Sequence, residues 1–191
     1  MKKNLITAIL MTVTTSILLG VVYPLVVTVL AQALFHDKAN GELIIQSGKV
    51  IGSRLIGQSF ASDRYFHSRL SSAGNGYDAA NSAASNLGPT NRALIERVNA
   101  SVTQLHQENP NALVPIDLVT SSGSGLDPDI TPAAAEFQIP RVSRARNMNE
   151  AQLRSLIAQH TKKRQLRFLG EPRVNVLELN LELDSSATAT K

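Results

Sequence analysis

The stretch LITAILMTVTTSILLGVVYPLVVTVLAQALF, Leu5–Phe35, carries no charged side chain. An α-helix rises ~1.5 Å per residue, and ~20 apolar residues cross a bilayer core of ~30 Å. Leu5–Phe35 is therefore long enough to cross with residues to spare. The rival is a cleaved signal peptide, with Lys2 and Lys3 as its basic start and Ala31-Gln32-Ala33 as a small-residue cleavage site. A signal core is only ~7–15 residues long, so the length favours a retained membrane helix. Pro24 removes one backbone donor within the span, which predicts a kink at Tyr23-Pro24. Gly20, Ser16, Thr12 and Thr28 offer small side chains for close packing on other helices. A plain anchor that ignores its neighbours is the alternative.

Lys2, Lys3 and the N-terminal amine precede the span, whereas His36, Asp37 and Lys38 follow it. The positive-inside rule then places residues 1–4 in the cytoplasm, the helix over 5–35, and the remainder outside. Of the net charge of +4, Lys2 and Lys3 supply half. The rest of the chain is close to neutral, which argues against a nucleic-acid partner. There is no cysteine, so disulfides, thiolate zinc sites and thiol catalysis are excluded.

Residues 36–184 read as one mixed α/β domain, with a disordered tail over 185–191. β-rich runs flank Ser47-Gly48, predicting a hairpin from Glu42–Gln46 and Lys49–Ile56. Ser71–Thr90 is rich in Gly, Ser, Asn and Ala and reads as a long ordered loop. Leu94, Val98, Val102 and Leu105 have helical spacing within Thr90–Gln107. Leu113–Thr120 is short and apolar, a candidate buried strand. Thr131-Pro132 pairs an N-cap with a first-turn proline, so a helix begins there, and Pro140 is expected to kink or end it. Asn149 and Gln152 form a capping-box pattern before Leu153, Leu156 and Ile157. Val174–Leu183 alternates, with Leu177, Leu179, Leu181 and Leu183 on one side and Asn180 and Glu182 on the other, which predicts a half-buried strand.

Chemical motifs are sparse. Gly41–Lys49 has the wrong spacing for a phosphate loop, and Val50 stands where Ser or Thr must reach magnesium. Gly74-Asn75-Gly76-Tyr77-Asp78-Ala79 matches the dinucleotide fingerprint on paper but lacks the strand before it. The four histidines show no paired ligand spacing. A membrane-anchored enzyme would need Asp127, His67 and Ser124 to cluster; an exported binding module would need cleavage after Ala33. Arg141, Arg144 and Arg146, then Lys162, Lys163, Arg164 and Arg167, read as solvated faces or as a grip for acidic partners. SSGSGLDPDITP, Ser121–Pro132, reads as an ordered loop entering a helix, in which Gly123 and Gly125 permit positive φ and Asp127-Pro128 turns the chain. A nest for phosphate or potassium is the alternative.

Longer phrases say more. VYPL, ANGELI, GSRLIGQSF, YFHSR, SNLGPTN, DLVTSSGSGLDPDITPAAAEFQIPRVSRARN and FLGEPRVNVLELNLELD occur in this order. Together they closely resemble the C subunit of the bacterial Kdp potassium-transporting ATPase, the KdpC family, over nearly the whole chain. Leu70 departs from the proline usual after the FHxR arginine, and a local change in that loop is expected.

The resemblance implies a non-catalytic accessory subunit in the bacterial inner membrane. Its partners are a channel-like potassium-binding subunit and a P-type ATPase subunit of the same complex, together with membrane lipid. It implies that the chain stabilises their assembly and acts as a catalytic chaperone, raising the ATP affinity of the ATPase subunit. The DKTG phosphorylation motif of P-type pumps is missing. No cofactor of its own follows, and any ATP contact would be shared with the ATPase subunit. For such a contact Gln58 and Gln138 are the candidates, because an amide both donates and accepts; an ordinary structural hydrogen bond is the alternative. Gly20, Tyr23 and Pro24 are the candidate membrane-packing face, and Gly123, Gly125 and Asp127 a candidate interface.

Overall fold

The computed structural model describes residues 1–188, with side chains through Ser186. It divides into two compact units, one ending at Ile51 and one beginning at Gly52.

The first unit opens with α1 (Lys2–Ile17), a π-helical turn (Leu18–Val22) and α2 (Tyr23–Leu34) in unbroken succession. Lys2–Leu34 spans 33 residues and contains an 18-residue window with a mean hydropathy of 2.3, long and apolar enough to cross a membrane. The π turn has a local cause. Pro24 lacks an N–H, so the Gly20 carbonyl four residues earlier loses its α-helical donor, and the proline ring crowds it. The chain widens instead, and the Tyr23 N–H reaches back five residues to the Leu18 carbonyl. This is the form taken by the distortion expected at Tyr23-Pro24. Polar hydroxyls in the span are satisfied locally: Thr7, Thr12 and Thr15 donate to the carbonyls of Lys3, Ala8 and Met11. The short α3 (His36–Ala39) follows, then β1 (Leu43–Gln46) and β2 (Lys49–Ser53) pair as the expected hairpin. Ser47 and Gly48 both have positive φ, as a tight hairpin turn requires.

In the second unit, a long loop containing one 3-10 turn (Ala79–Asn81) leads to α4 (Arg92–Glu108), capped by Asn91. The expected strand over Leu113–Thr120 is not formed. Ile116–Leu118 is a 3-10 turn, Leu113 is 95% exposed and Ile116 75%. Pro115 cannot donate to a sheet, and the buried Asp117 carboxylate turns instead to the Thr131 N–H, 2.8 Å away. β3 (Asp129–Ile130) enters α5 (Pro132–Arg146), whose N-cap Thr131 accepts from the Ala134 N–H. α5 does not end at Pro140 but runs on to Asn147, which caps it in the left-handed conformation. α6 (Glu150–His160) begins with the expected Asn149–Gln152 capping box.

β4 (Thr161–Lys162) and β5 (Arg173–Asn175) complete an antiparallel sheet in the order β3-β5-β4, pairing Ile130 with Val174 and Thr161 with Val174. The predicted long strand from Val174 is only this short β5. At Asn175, whose side chain accepts from the Glu178 N–H, the chain turns into α7 (Val176–Thr188). Ser185–Thr188 therefore belong to a helix rather than to a disordered tail; residues 189–191 lie outside the described residues. Val176, Leu179 and Leu183 join Phe66, Ala134, Phe137, Ile139, Val142, Leu153, Ile157 and Val174 in one core. Each fully buried aliphatic or Phe side chain contributes ~1.5–3 kcal/mol, so α5, α6 and α7 hold the fold around the small sheet. The domain is mixed α/β, as expected.

Candidate functional site

The YFHSR segment has no regular structure of its own, yet Phe66 is completely buried. Backbone groups in such a place need partners, and two side-chain amides supply them. Asn180 of α7 accepts from the Phe66 N–H at 2.8 Å and donates to the Phe66 carbonyl at 2.9 Å. Gln138 of α5 does the same for the next residue, accepting from the His67 N–H at 2.7 Å and donating to the His67 carbonyl at 3.1 Å. Each amide stands in for a neighbouring strand. Arg141 adds a third tie, donating to the carbonyls of Asp63 and Tyr65 and to the Gln138 oxygen. Tyr65 is held by Arg146, whose guanidinium lies 4.8 Å above the ring and pairs with Asp184.

The expectation that Arg141 and Arg146 stand on solvated faces is thereby overturned. Arg141 is 6% exposed and the Arg146 side chain 2%, because both reach inward to carbonyls that no strand covers. Arg144 is exposed, as expected. Asn180, missed in the sequence, is buried because it serves this segment; an amide one helical turn from Val176 was its only signal.

Burial, followed by the nearby Arg141 guanidinium, holds the His67 imidazole below its ordinary value of about 6.5. Its Nε2 donates to the Ser62 carbonyl at 3.2 Å. The unfolded chain therefore takes up a proton first as pH falls. Stability from neutral His67 is complete above about pH 6.5 and is lost as pH drops towards the lowered folded value. The unfolding midpoint should fall from about pH 7 to pH 5, with a slope that His67→Gln reduces; equal slopes would show that His67 does not couple to folding.

A second cluster surrounds the SSGSGLDP loop. Gly57 and Ser71 grip its backbone, the Gly57 N–H donating to the Leu126 carbonyl at 2.8 Å and the Ser71 hydroxyl to the Gly125 carbonyl at 2.6 Å. The Ser124 carbonyl accepts from the Ala83 N–H and the Ser82 hydroxyl. Gly125 has φ +68°, as expected, but Gly123 does not adopt positive φ. Asp127 spends both oxygens, one on Arg69 at 3.0 Å and one on the Asp129 N–H at 3.0 Å. Asp129 pairs with Arg173 at 2.9 Å, and burial nonetheless pushes its carboxyl up. Arg69, Asp117, Asp127, Asp129 and Arg173 line a cavity of about 220 Å³.

Gln138 is 1% exposed and makes a further bond to the Ala134 carbonyl, so its amide is fully used inside the domain. Gln58 is half-buried, and its backbone carbonyl accepts from Ser68. Its amide packs on Gly52, where an added Cβ would lie 2.2 Å from the Gln58 nitrogen. Leu70 bridges to Ser121 and lines a small cavity with His67. Among the described residues, no hydrogen bond joins Asp127, His67 and Ser124. Ser124 turns to the Leu126 N–H and Asp127 to Arg69. No group of three or more His, Asp or Glu among the described residues is placed to hold a metal. Gly20, Tyr23 and Pro24 lie together around the π turn; an added Cβ at Gly20 would meet nothing within 4 Å.

Residues 5–185 match the family described as KdpC, the c chain of K+-transporting ATPase. A potassium-transporting ATPase KdpC subunit of Koribacter versatilis is 61% identical over 186 residues, covering 97% of this chain and 96% of its own. KdpC subunits of Acidobacterium capsulatum and of Rhodopseudomonas palustris strain BisB18 are 55% and 52% identical, covering 95% and 97% of this chain and 98% and 100% of their own. The match takes in the membrane-length helix, the amide-clamped segment and the SSGSGLDP loop alike, and the chain belongs to the KdpC family.

Proposed function

We propose that this chain is a non-catalytic, single-pass accessory subunit of an ATP-driven potassium uptake complex. It binds a channel-like subunit and a P-type ATPase subunit, stabilises their assembly, and raises the ATP affinity of the ATPase subunit. The observation that carries this reading is the family match over residues 5–185, which includes the helix of membrane-spanning length. Lys2 and Lys3, by the positive-inside rule, support a cytoplasmic N-terminus and an external domain. The effect on ATP affinity is then conveyed across the membrane rather than by contact. The complete internal bonding of the Gln138 amide supports that route.

The helix face around Gly20 is the proposed intramembrane contact. Among the described residues nothing lies within 4 Å of a Cβ added at Gly20, so a side chain there would act on a partner. Gly20→Leu should preserve membrane insertion and lower recovery of the other subunits after detergent extraction, relative to a Val27→Leu control. Purification of the tagged chain from membranes should bring a P-type ATPase with it, and a complex lacking the chain should show a raised KM for ATP. A reporter fused after Lys191 should work only outside the cytoplasm. Recovery of the chain without an ATPase would overturn the accessory role; activity of a cytoplasmic reporter would overturn the orientation alone.

A further inference from the structure

Between β4 and β5 the chain makes an excursion that the function proposed above does not use. Residues 162–171 are all exposed. At its tip Gln165 and Leu169 exchange both backbone hydrogen bonds at 2.9 Å, and the Phe168 N–H closes a tight turn on the Gln165 carbonyl. The central residues of that turn, Leu166 and Arg167, have φ of +50° and +72°. Such turns ordinarily take Asn-Gly, because larger side chains strain at positive φ. Here the strained positions hold a leucine and an arginine. Leu166 is 76% exposed, Phe168 70% and Leu169 47%. A large apolar group gains nothing in water, and a local rule broken without internal compensation marks a functional element.

Charge selects the occupant. Lys162, Lys163, Arg164 and Arg167 flank or interrupt the three apolar residues along the chain, against the single acid Glu171. Lys162 pairs with Glu178 and Arg164 with Glu171. Lys163 and Arg167 have no ion pair among the described residues. An exposed apolar tip within a basic stretch suits the headgroup boundary of an anionic bilayer, where aromatic and aliphatic groups insert and Lys and Arg meet phosphates. The same chain carries a helix of membrane-spanning length, so a lipid surface accompanies the domain whichever side it occupies. The exposed Leu113 and Ile116 make an instructive contrast, since Asn109–Val119 contains no Lys or Arg. We infer that the Lys163–Leu169 hairpin tip is a second membrane contact, which docks the domain on anionic lipid by inserting Leu166 and Phe168 between headgroups. This inference rests on the membrane helix and not on the transport role.

The chain has no tryptophan, so Phe168→Trp introduces a single probe. The full chain is placed in nanodiscs of phosphatidylcholine with brominated acyl chains, with or without phosphatidylglycerol. Phe168→Trp should be quenched and blue-shifted in phosphatidylglycerol discs, less so in phosphatidylcholine alone, and the difference should shrink with salt. Lys163→Gln or Arg167→Gln should each weaken docking about fivefold, the equivalent of ~1 kcal/mol per basic side chain. Leu113→Trp should remain unquenched. Hydrogen exchange of the tip amides in the unmodified chain, slower in phosphatidylglycerol discs than in phosphatidylcholine, would give the same answer without a substitution. Quenching no greater than that of Leu113→Trp, or equal in both lipids, would overturn the inference. So would protection that arises only when the partner subunits are added, which would assign the tip to a protein surface instead.

Discussion

Gln138→Leu is expected to lower the unfolding midpoint of the domain by about 10–20 °C. The replacement keeps most of the volume and removes every polar atom. The His67 N–H and carbonyl then lose the partners they had at 2.7 and 3.1 Å, and the Arg141 guanidinium loses the amide oxygen at 2.7 Å. Each buried polar group left without a partner costs ~1–3 kcal/mol, and more if charged. The sum is about 3–6 kcal/mol, and a domain of this size shifts by ~2–4 °C per kcal/mol. Asn180→Leu should act in the same way on Phe66, with two orphaned groups instead of three. Thermal unfolding of the full chain in detergent, followed by near-ultraviolet circular dichroism, reads both. A loss below about 1 kcal/mol would mean that water reaches the segment and that the amides are not its struts. If either variant keeps its fold at low temperature yet fails to assemble, the YFHSR segment also meets a partner.

Two glycines two residues apart should answer a second substitution in opposite ways. A Cβ at Gly125 would lie 2.6 Å from the Ala83 carbonyl oxygen and 2.7 Å from the Ala73 nitrogen. Both are backbone atoms, and φ at Gly125 is +68°, so neither the neighbours nor the residue itself can yield cheaply. Gly125→Val should cost about 3 kcal/mol or more and unseat the loop from the Ser71 and Ala83 segments. At Gly123 an added Cβ meets nothing within 4 Å, and Gly123→Val should change stability by less than about 0.5 kcal/mol. Limited proteolysis over residues 121–127 separates the two. Equal protection of both variants would show that the loop is not held as described. Gly123 also offers a clean probe of the proposed interface: with folding unaffected, any loss of assembly in Gly123→Val reports on a partner surface.

Where local chemistry decides an element, the sequence was legible. Ser47-Gly48, Thr131-Pro132 and Asn149–Gln152 each settle a turn or a helix start by their own hydrogen bonds, and each was found. Elements decided by distant partners were misread. Val176, Leu179, Asn180 and Leu183, all 1% exposed or less, form a helical stripe. Asn180 looked like the polar member of an alternating strand because its partner, Phe66, lies 114 residues away. Pro140 reads in the sequence as a kink or an end, yet the burial of Phe137, Ile139 and Val142 around it carries α5 through. Arg141 and Arg146 read as surface charge in the sequence, but the carbonyls of residues 63–65 give them a reason to turn inward. The family resemblance came from long phrases rather than from the spacing of a few chemical side chains.

The π turn alters how any mutational scan of the membrane helix must be plotted. Successive residues of an α-helix advance by about 100°, so positions before and after an uninterrupted segment share one helical wheel. A turn closed five residues back accommodates one residue more than an α-turn and puts the two sides out of phase by roughly one position. Thr12 and Ser16 lie on the near side of Leu18–Val22, and Thr28 lies on the far side. On a single wheel, a continuous seam along those residues would look like two unrelated patches, and two unrelated patches could masquerade as a seam. Plotted as two wheels joined at Gly20, sensitivity data from α1 and α2 should collapse onto one azimuth if the helix has a single neighbour, and onto two if it lies in the crevice between a pair.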